Sequence, residues 1–205
     1  MDLKELFKKK PEHCYDAHPT ILGKVWHFLA HEDSFASLLA DILLILLISK
    51  FIILPAAGFI LGTKFPFVVV VSSSMDHHGQ DFESWWEENK DWYLERNITK
   101  EMFESFPYKD GFKKGDIFVV KSGNISMGDV IVYTIPGQPE PIIHRVVNIS
   151  DGVYTTKGDA NYAQLGFEKA VFKEQISGKT ILRIPYLGWV KVGFVELLNK
   201  VKSMQ

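Results

Sequence analysis

At 205 residues, 46% of them hydrophobic, the chain can hold one soluble domain of ordinary size together with a membrane anchor. A net charge of -2 supplies no basic footprint, so no nucleic-acid partner is indicated. The single cysteine, Cys14, excludes an internal disulfide.

Residues 1–17 are polar, carry the basic run Lys8, Lys9 and Lys10, and read as a solvated tail. From Pro19 the apolar residues Ile21, Leu22, Val25, Trp26, Phe28 and Leu29 recur at helical spacing, with Lys24, His27 and His31 on the other side. This predicts a short amphipathic helix at the membrane surface, with packing on the soluble domain as the alternative. Ser34 can cap the next helix. From Ile42 to Leu61 the chain is apolar over the roughly 20 residues a spanning helix needs. Lys50 near its middle can snorkel, face a protein groove, or mark a break close to Pro55. The segment starts too late and runs too long for a cleaved signal peptide. Lys4, Lys8, Lys9, Lys10 and Lys24 precede it, whereas Lys64 alone follows before Lys90. That asymmetry predicts a single-pass protein of the cell (plasma) membrane, N-terminus cytoplasmic and everything after Phe65 outside. The expected organisation is a tail and interfacial helix at 1–33, an anchor at 34–63 and an extracytoplasmic β domain at 64–205.

The domain opens with Phe67 and four valines, which read as a buried strand ended by Ser72, Ser73, Ser74 and Met75. A hydroxyl at a strand end just outside an anchor suggests a nucleophile, although a serine triplet alone is more often a polar turn. Residues 76–114 place Phe82, Trp85, Trp86, Trp92 and Tyr93 at three- and four-residue steps, and Thr99 opens a second pattern with Met102, Phe103 and Phe106. This predicts an insertion of two short helices whose aromatics form a small core of their own. From Gly115 the period becomes two, with candidate strands at Asp116–Lys121, Asp129–Ile135, Ile142–Ile149 and Val153–Lys157. Turns fall at Gly123-Asn124, Pro136-Gly137 and Asp151-Gly152. The fold class is therefore mainly β: a transmembrane helix, then an antiparallel β domain with a helical insertion. The segment from Ile184 to Val201 predicts a final strand and a short helix. Asn97, Asn124 and Asn148 open Asn-x-Ser/Thr triplets, which would accept glycans outside the cell but are common by chance.

Asp-Gly between two strand patterns is the preferred two-residue hairpin loop. With it, Ser150 sits opposite Val153. Counting back along an unbroken ladder sets Val146 against Lys157 and His144 against Asp159, whose Cβ atoms would be roughly 4.5–5.5 Å apart. An imidazole and a carboxylate would then share one face, the carboxylate fixing the ring's tautomer. Gly158 could bulge the strand and move Asp159 off register. A serine at a strand end, a histidine and an opposed carboxylate make the set needed for acyl transfer: Ser74 attacks, His144 takes its proton and Asp159 orients the ring. Lys157, on the same predicted side, is the rival base. A metal site built on Asp76, His77 and His78 is the outside alternative.

The same residues resemble the archaeal and endoplasmic-reticulum type of signal peptidase I, membrane-bound serine endopeptidases that remove signal peptides. The resemblance covers roughly Phe51 to Gly188. It rests on the anchor, Ser72-Ser73-Ser74-Met75, Lys114-Gly115-Asp116-Ile117, Gly128-Asp129-Val130-Ile131-Val132-Tyr133, Ile143-His144-Arg145-Val146-Val147, Thr156-Lys157-Gly158-Asp159-Ala160-Asn161, and Ile184-Pro185-Tyr186-Leu187-Gly188. It implies Ser74 as nucleophile, His144 as base and Asp159 as acid, with Ser72 assisting the Ser74 backbone N–H as oxyanion donor. Two departures stand out. Ser73 replaces the usual glycine, and Leu165 and Gly166 stand where relatives often carry a second acid, a place Glu168 could fill.

The expectation is thus a membrane-anchored endopeptidase needing no metal or cofactor. Its substrates would be the signal peptides of translocated preproteins, bound as an added strand along Val69, Val70 and Val71 and against Met75. Partners would be the lipid bilayer and the translocation machinery. A non-catalytic anchored scaffold is the competing reading.

Overall fold

Ser34 starts the apolar helix: its Oγ accepts the Ser37 N–H at 3.1 Å, and the chain is helical from Phe35 to Leu61. The computed structural model describes residues 20–32, 34–138, 140–189 and 191–193. The basic tail expected at 1–17 and the end of the C-terminal segment, 194–205, lie outside the described residues. The chain falls into two compact units, Met1–Ala56 and Ala57–Gln205.

In the first unit α1 (Ile21–His31) is capped by Thr20, whose Oγ1 accepts the Gly23 N–H. Its Ile21, Val25 and Trp26 are exposed. Ser37 Oγ donates to Phe28 O at 2.8 Å and ties α1 to α2 (Phe35–Ile48). A π-helical turn, Ser49–Ile53, separates α2 from α3 (Leu54–Leu61). The cause is Pro55, which has no N–H and would press on the Phe51 carbonyl in a regular helix. The break expected near Pro55 is therefore this turn, and Lys50 lies within it, exposed, with Nζ 5.4 Å from the Phe51 ring. Among the described residues, the 27-residue run Phe35–Leu61 is the one helix long and apolar enough to cross a membrane. At 1.5 Å per residue it spans about 40 Å, against a hydrocarbon core of about 30 Å.

The second unit is a curled, antiparallel six-stranded sheet, in the order β1 (Phe67–Val69), β2 (Ile117–Lys121), β6 (Ile176–Ile184), β3 (Val130–Tyr133), β4 (Ile142–Ser150) and β5 (Val153–Lys157). The last strand lies earlier than the apolar tail predicts, and it sits in the middle of the sheet. Gly178 and bulges on both of its ladders break the period of two that would have announced it. Its charged Lys179 and Arg183 are neutralised by Asp129 at 2.9 Å and Asp116 at 2.7 Å.

β3 is buried on both faces. Val130 and Val132 join Val68, Val70, Met75, Phe112 and Phe118 on one side, while Ile131 and Tyr133 join Ile142, Val146 and Val171 on the other. The insertion forms α4 (Phe82–Leu94) and α5 (Lys100–Glu104), capped by Asp81 and Thr99. Phe82, Trp85, Trp86, Tyr93, Ile98 and Phe103 cluster together, but the cluster also takes in Val147 from β4. The insertion therefore shares its core with the sheet.

Candidate active site

Three backbone bonds fix the serine segment. Val70 N–H donates to Asp116 O, Phe112 N–H to Met75 O, and Ala160 N–H to Ser74 O at 2.8 Å. The valine run keeps the alternation of a strand, so its residues do not all face one way. Val69 and Val71 line a cavity of about 290 Å³ together with Ser72, Ser74, Ile143 and His144. Val70 and Met75, expected to touch substrate, are instead 1% exposed and belong to the core.

Ser74 Oγ lies 2.9 Å from His144 Nε2 and 3.1 Å from Ser72 Oγ. Ser72 is exposed and Ser74 half-buried at the cavity wall, so the Ser74 hydroxyl is reachable. On the far side of the ring, His144 Nδ1 is 2.6 Å from Glu168 Oε1. Glu168 is fully buried, on a 3-10 turn at Gly166–Glu168. The same oxygen accepts the Gly158 N–H at 2.9 Å, and Oε2 accepts the Leu165 N–H at 2.5 Å. Burial opposes ionisation of Glu168, but the His144 contact and these two N–H donors outweigh it and lower its pKa. An ionised Glu168 requires the proton on Nδ1, which leaves the Nε2 lone pair aimed at Ser74.

Asp159 is not the partner of His144. The ladder keeps the expected register at Ser150↔Val153, Ile149↔Tyr154 and Asn148↔Thr155, then shifts by one residue to Val146↔Thr156 and Arg145↔Lys157. The extra residue is Val147, buried in the aromatic cluster of the insertion. A one-residue shift exchanges the faces, so Asp159 falls on the side of Arg145. Arg145 Nη2 is 2.7 Å from Asp159 Oδ2 and Nε is 3.0 Å from Oδ1, with both side chains fully buried. The remaining guanidinium donors reach Pro107 O, Gly128 O and Tyr108 O. Burial alone would raise the Asp159 pKa, but Arg145 and His77 hold it down at about 2.

Lys157 moves with the register: it opposes Arg145, not Val146, and its Nζ donates to Gly158 O and Asp159 O. Burial, against the pull of Asp159 and Glu168, brings its pKa down to about 8, but it stands behind the strand and not beside Ser74. The alternative metal trio also separates. His77 is buried, stacked on Trp85 at 3.9 Å and 3.6 Å from Asp159, while His78 is exposed with its N–H on Asp76. Among the described residues no group of three or more His, Cys, Asp and Glu side chains converges as metal ligands.

No protein-family model matches the chain. It is 27% identical over 178 residues to the signal peptidase complex catalytic subunit sec11 of Schizosaccharomyces pombe, covering 80% of this chain and 86% of that protein. To the proteins of the same name from Colletotrichum graminicola and Leptosphaeria maculans it is 32% identical over 96 and 94 residues, 40% of this chain in each case. In those two alignments the chain spans 55% and 54% of the relative's length. A serine after β1, a histidine on β4 and a buried carboxylate on the 3-10 turn thus adjoin one another in a chain that is similar, over most of its length, to a named catalytic subunit of the signal peptidase complex.

Proposed function

We propose that this chain is a membrane-anchored serine endopeptidase that removes signal peptides from translocated preproteins; its relatives are named as catalytic subunits of the signal peptidase complex. The observation that carries the reading is the 2.9 Å approach of Ser74 Oγ to His144 Nε2, with Glu168 behind the ring. Ser74 attacks the scissile carbonyl while its proton passes to Nε2. The imidazolium, stabilised by Glu168, then gives that proton to the leaving amine. A water deprotonated by the same Nε2 hydrolyses the acyl-enzyme and regenerates Ser74. The Ser72 hydroxyl and the Ser74 backbone N–H are the oxyanion donors.

The substrate lies extended between β1 and the start of β4. Val69, Val71, Ile142 and Ile143 wall the cavity there and admit small apolar side chains. The helix Phe35–Leu61 anchors the enzyme, with the N-terminus cytoplasmic and the catalytic sheet on the side where preproteins emerge. Partners are the bilayer, further subunits of the kind that the relatives' names imply, and the translocation machinery.

The test is cleavage of a preprotein by the full-length protein in lipid vesicles. Ser74→Ala is expected to reduce turnover by about 10⁴-fold or more. Unchanged processing would leave only an anchored scaffold.

A further inference from the structure

Behind the active site, on the face of the β4–β5 ladder away from His144, two cations stand opposite one another: Arg145 and Lys157. Arg145 has the Asp159 carboxylate. Lys157 is 1% exposed, and its Nζ touches two backbone carbonyls, Gly158 O at 3.1 Å and Asp159 O at 3.4 Å. Two aromatic rings of α4 enclose it, with Nζ 5.1 Å from the centroid of Trp92 and 5.1 Å from that of Tyr93. Removing an ammonium from water is expensive, and cation–π contacts with two carbonyls return part of that cost. An unbranched apolar side chain would fill the same space without the penalty. A charged tip kept there calls for a reason.

The carbonyls it holds supply one. They belong to the Gly158–Ala160 turn, and two N–H groups of that turn reach Glu168 and Ser74 while the third reaches the core residue Met75 beside Ser74. Gly158 N–H donates to Glu168 Oε1, Asp159 N–H to Met75 Sδ at 3.3 Å, and Ala160 N–H to Ser74 O. One turn thus sets both the nucleophile's backbone and the carboxylate behind the base.

We propose that Lys157 is a positioning residue, its ammonium tying α4 of the insertion to the turn that holds Ser74 and Glu168 in line with His144. The insertion is then part of the catalytic scaffold, acting through the Trp92–Tyr93 clamp on Lys157. This inference rests on the serine-peptidase reading above.

The experiment compares the full-length protein with Lys157→Met, which keeps an unbranched side chain one atom shorter and removes its donors, and with Trp92→Leu, which opens the clamp and leaves the turn intact. Preprotein cleavage in vesicles gives kcat and KM, and NMR follows the His144 Nδ1 proton expected at the 2.6 Å contact with Glu168. Lys157→Met is expected to lower kcat about 10- to 100-fold with KM unchanged, and to shift or broaden that proton resonance. Trp92→Leu should move both readouts in the same direction by less. Wild-type kcat and an unmoved resonance in Lys157→Met would overturn the inference, as would a rise in KM alone. If Lys157→Met does not fold, Trp92→Leu decides by the same two readouts. A wild-type protein that cleaves nothing would count against the peptidase reading, and the resonance would still test Lys157.

Discussion

The Arg145 guanidinium closes on the Asp159 carboxylate, Nη2 to Oδ2 at 2.7 Å, with Phe103 stacked 4.8 Å from the guanidinium carbon. Five N–H donors find carboxylate or carbonyl oxygen there, and all three carbonyls, of Pro107, Tyr108 and Gly128, come from outside β4 and β5. The pair therefore binds the insertion to the sheet. Asp159→Asn leaves the Arg145 charge buried without its counter-ion, and a loss of about 3–5 kcal/mol of stability is expected. Thermal unfolding in detergent checks this. A melting temperature unchanged from wild type, with only turnover reduced, would return Asp159 to a role in the chemistry.

The same pair sets the acid limb of stability. Asp159 is depressed from its ordinary 3.8 to about 2, so its contribution is complete above 3.8 and is lost as pH falls toward 2. At 1.36 kcal/mol per pH unit that limb is worth about 2 kcal/mol. Glu168, also depressed, acts in the same direction below its ordinary 4.5. Lys157 has the same sense in a higher window: burial brings its pKa from 10.5 down to about 8, the unfolded chain binds the extra proton between those values, and stability rises with pH there too. Denaturant midpoints measured across pH should show both slopes. Asp159→Asn should flatten the first and Lys157→Met the second.

Gly158 has no room for a side chain. A Cβ there would lie 2.6 Å from Asn161 Nδ2, 2.8 Å from Ser74 O and 3.0 Å from His144 Nε2. Asn161 can swing aside; the Ser74 carbonyl and the His144 ring cannot move without losing their mutual alignment. Gly158→Ala is expected to lower kcat about 100-fold, since displacement of a reacting group by an ångström costs that much. Its effect on the melting temperature should be smaller than that of Asp159→Asn. Full activity in Gly158→Ala would mean that the Ser74–His144 distance is not rate-determining.

The aromatic cluster makes a separate prediction for the insertion. Trp85 is 2% exposed and packs on His77, Phe82, Tyr93 and Phe103. Trp85→Ala should cost about 3–5 kcal/mol. Because Val147 belongs to this cluster, the β4–β5 bulge should loosen too, seen as faster amide exchange at Asn148 and Thr156. Exchange confined to α4 would show that the insertion folds apart from the sheet.

Much of this was legible from local chemistry. Asp151-Gly152 set the hairpin, and the first three pairs follow from it. Ser34 and Thr99 begin helices as expected from the sequence. The register beyond Asn148 was not legible, because the bulge comes from Val147 docking among aromatics more than forty residues earlier in the chain. β6 was hidden for a related reason: Gly178 and two bulges erase its alternation. Glu168 gave a faint signal, an acid displaced from the place where the resembling family often carries one. Only the fold shows it bridging Gly158, Leu165 and His144.

The line from Ser74 through His144 to Glu168 is the core of the account, and Glu168→Gln tests it most directly. The amide keeps the shape but offers Nδ1 no negative charge, so the tautomer and the imidazolium lose their support. Preprotein cleavage by this variant should show kcat lower by about 10²- to 10⁴-fold with KM near wild type, and a small fall in melting temperature because the amide nitrogen cannot accept the second buried N–H. Wild-type kcat in Glu168→Gln, together with a collapse of turnover in a folded Asp159→Asn, would contradict it.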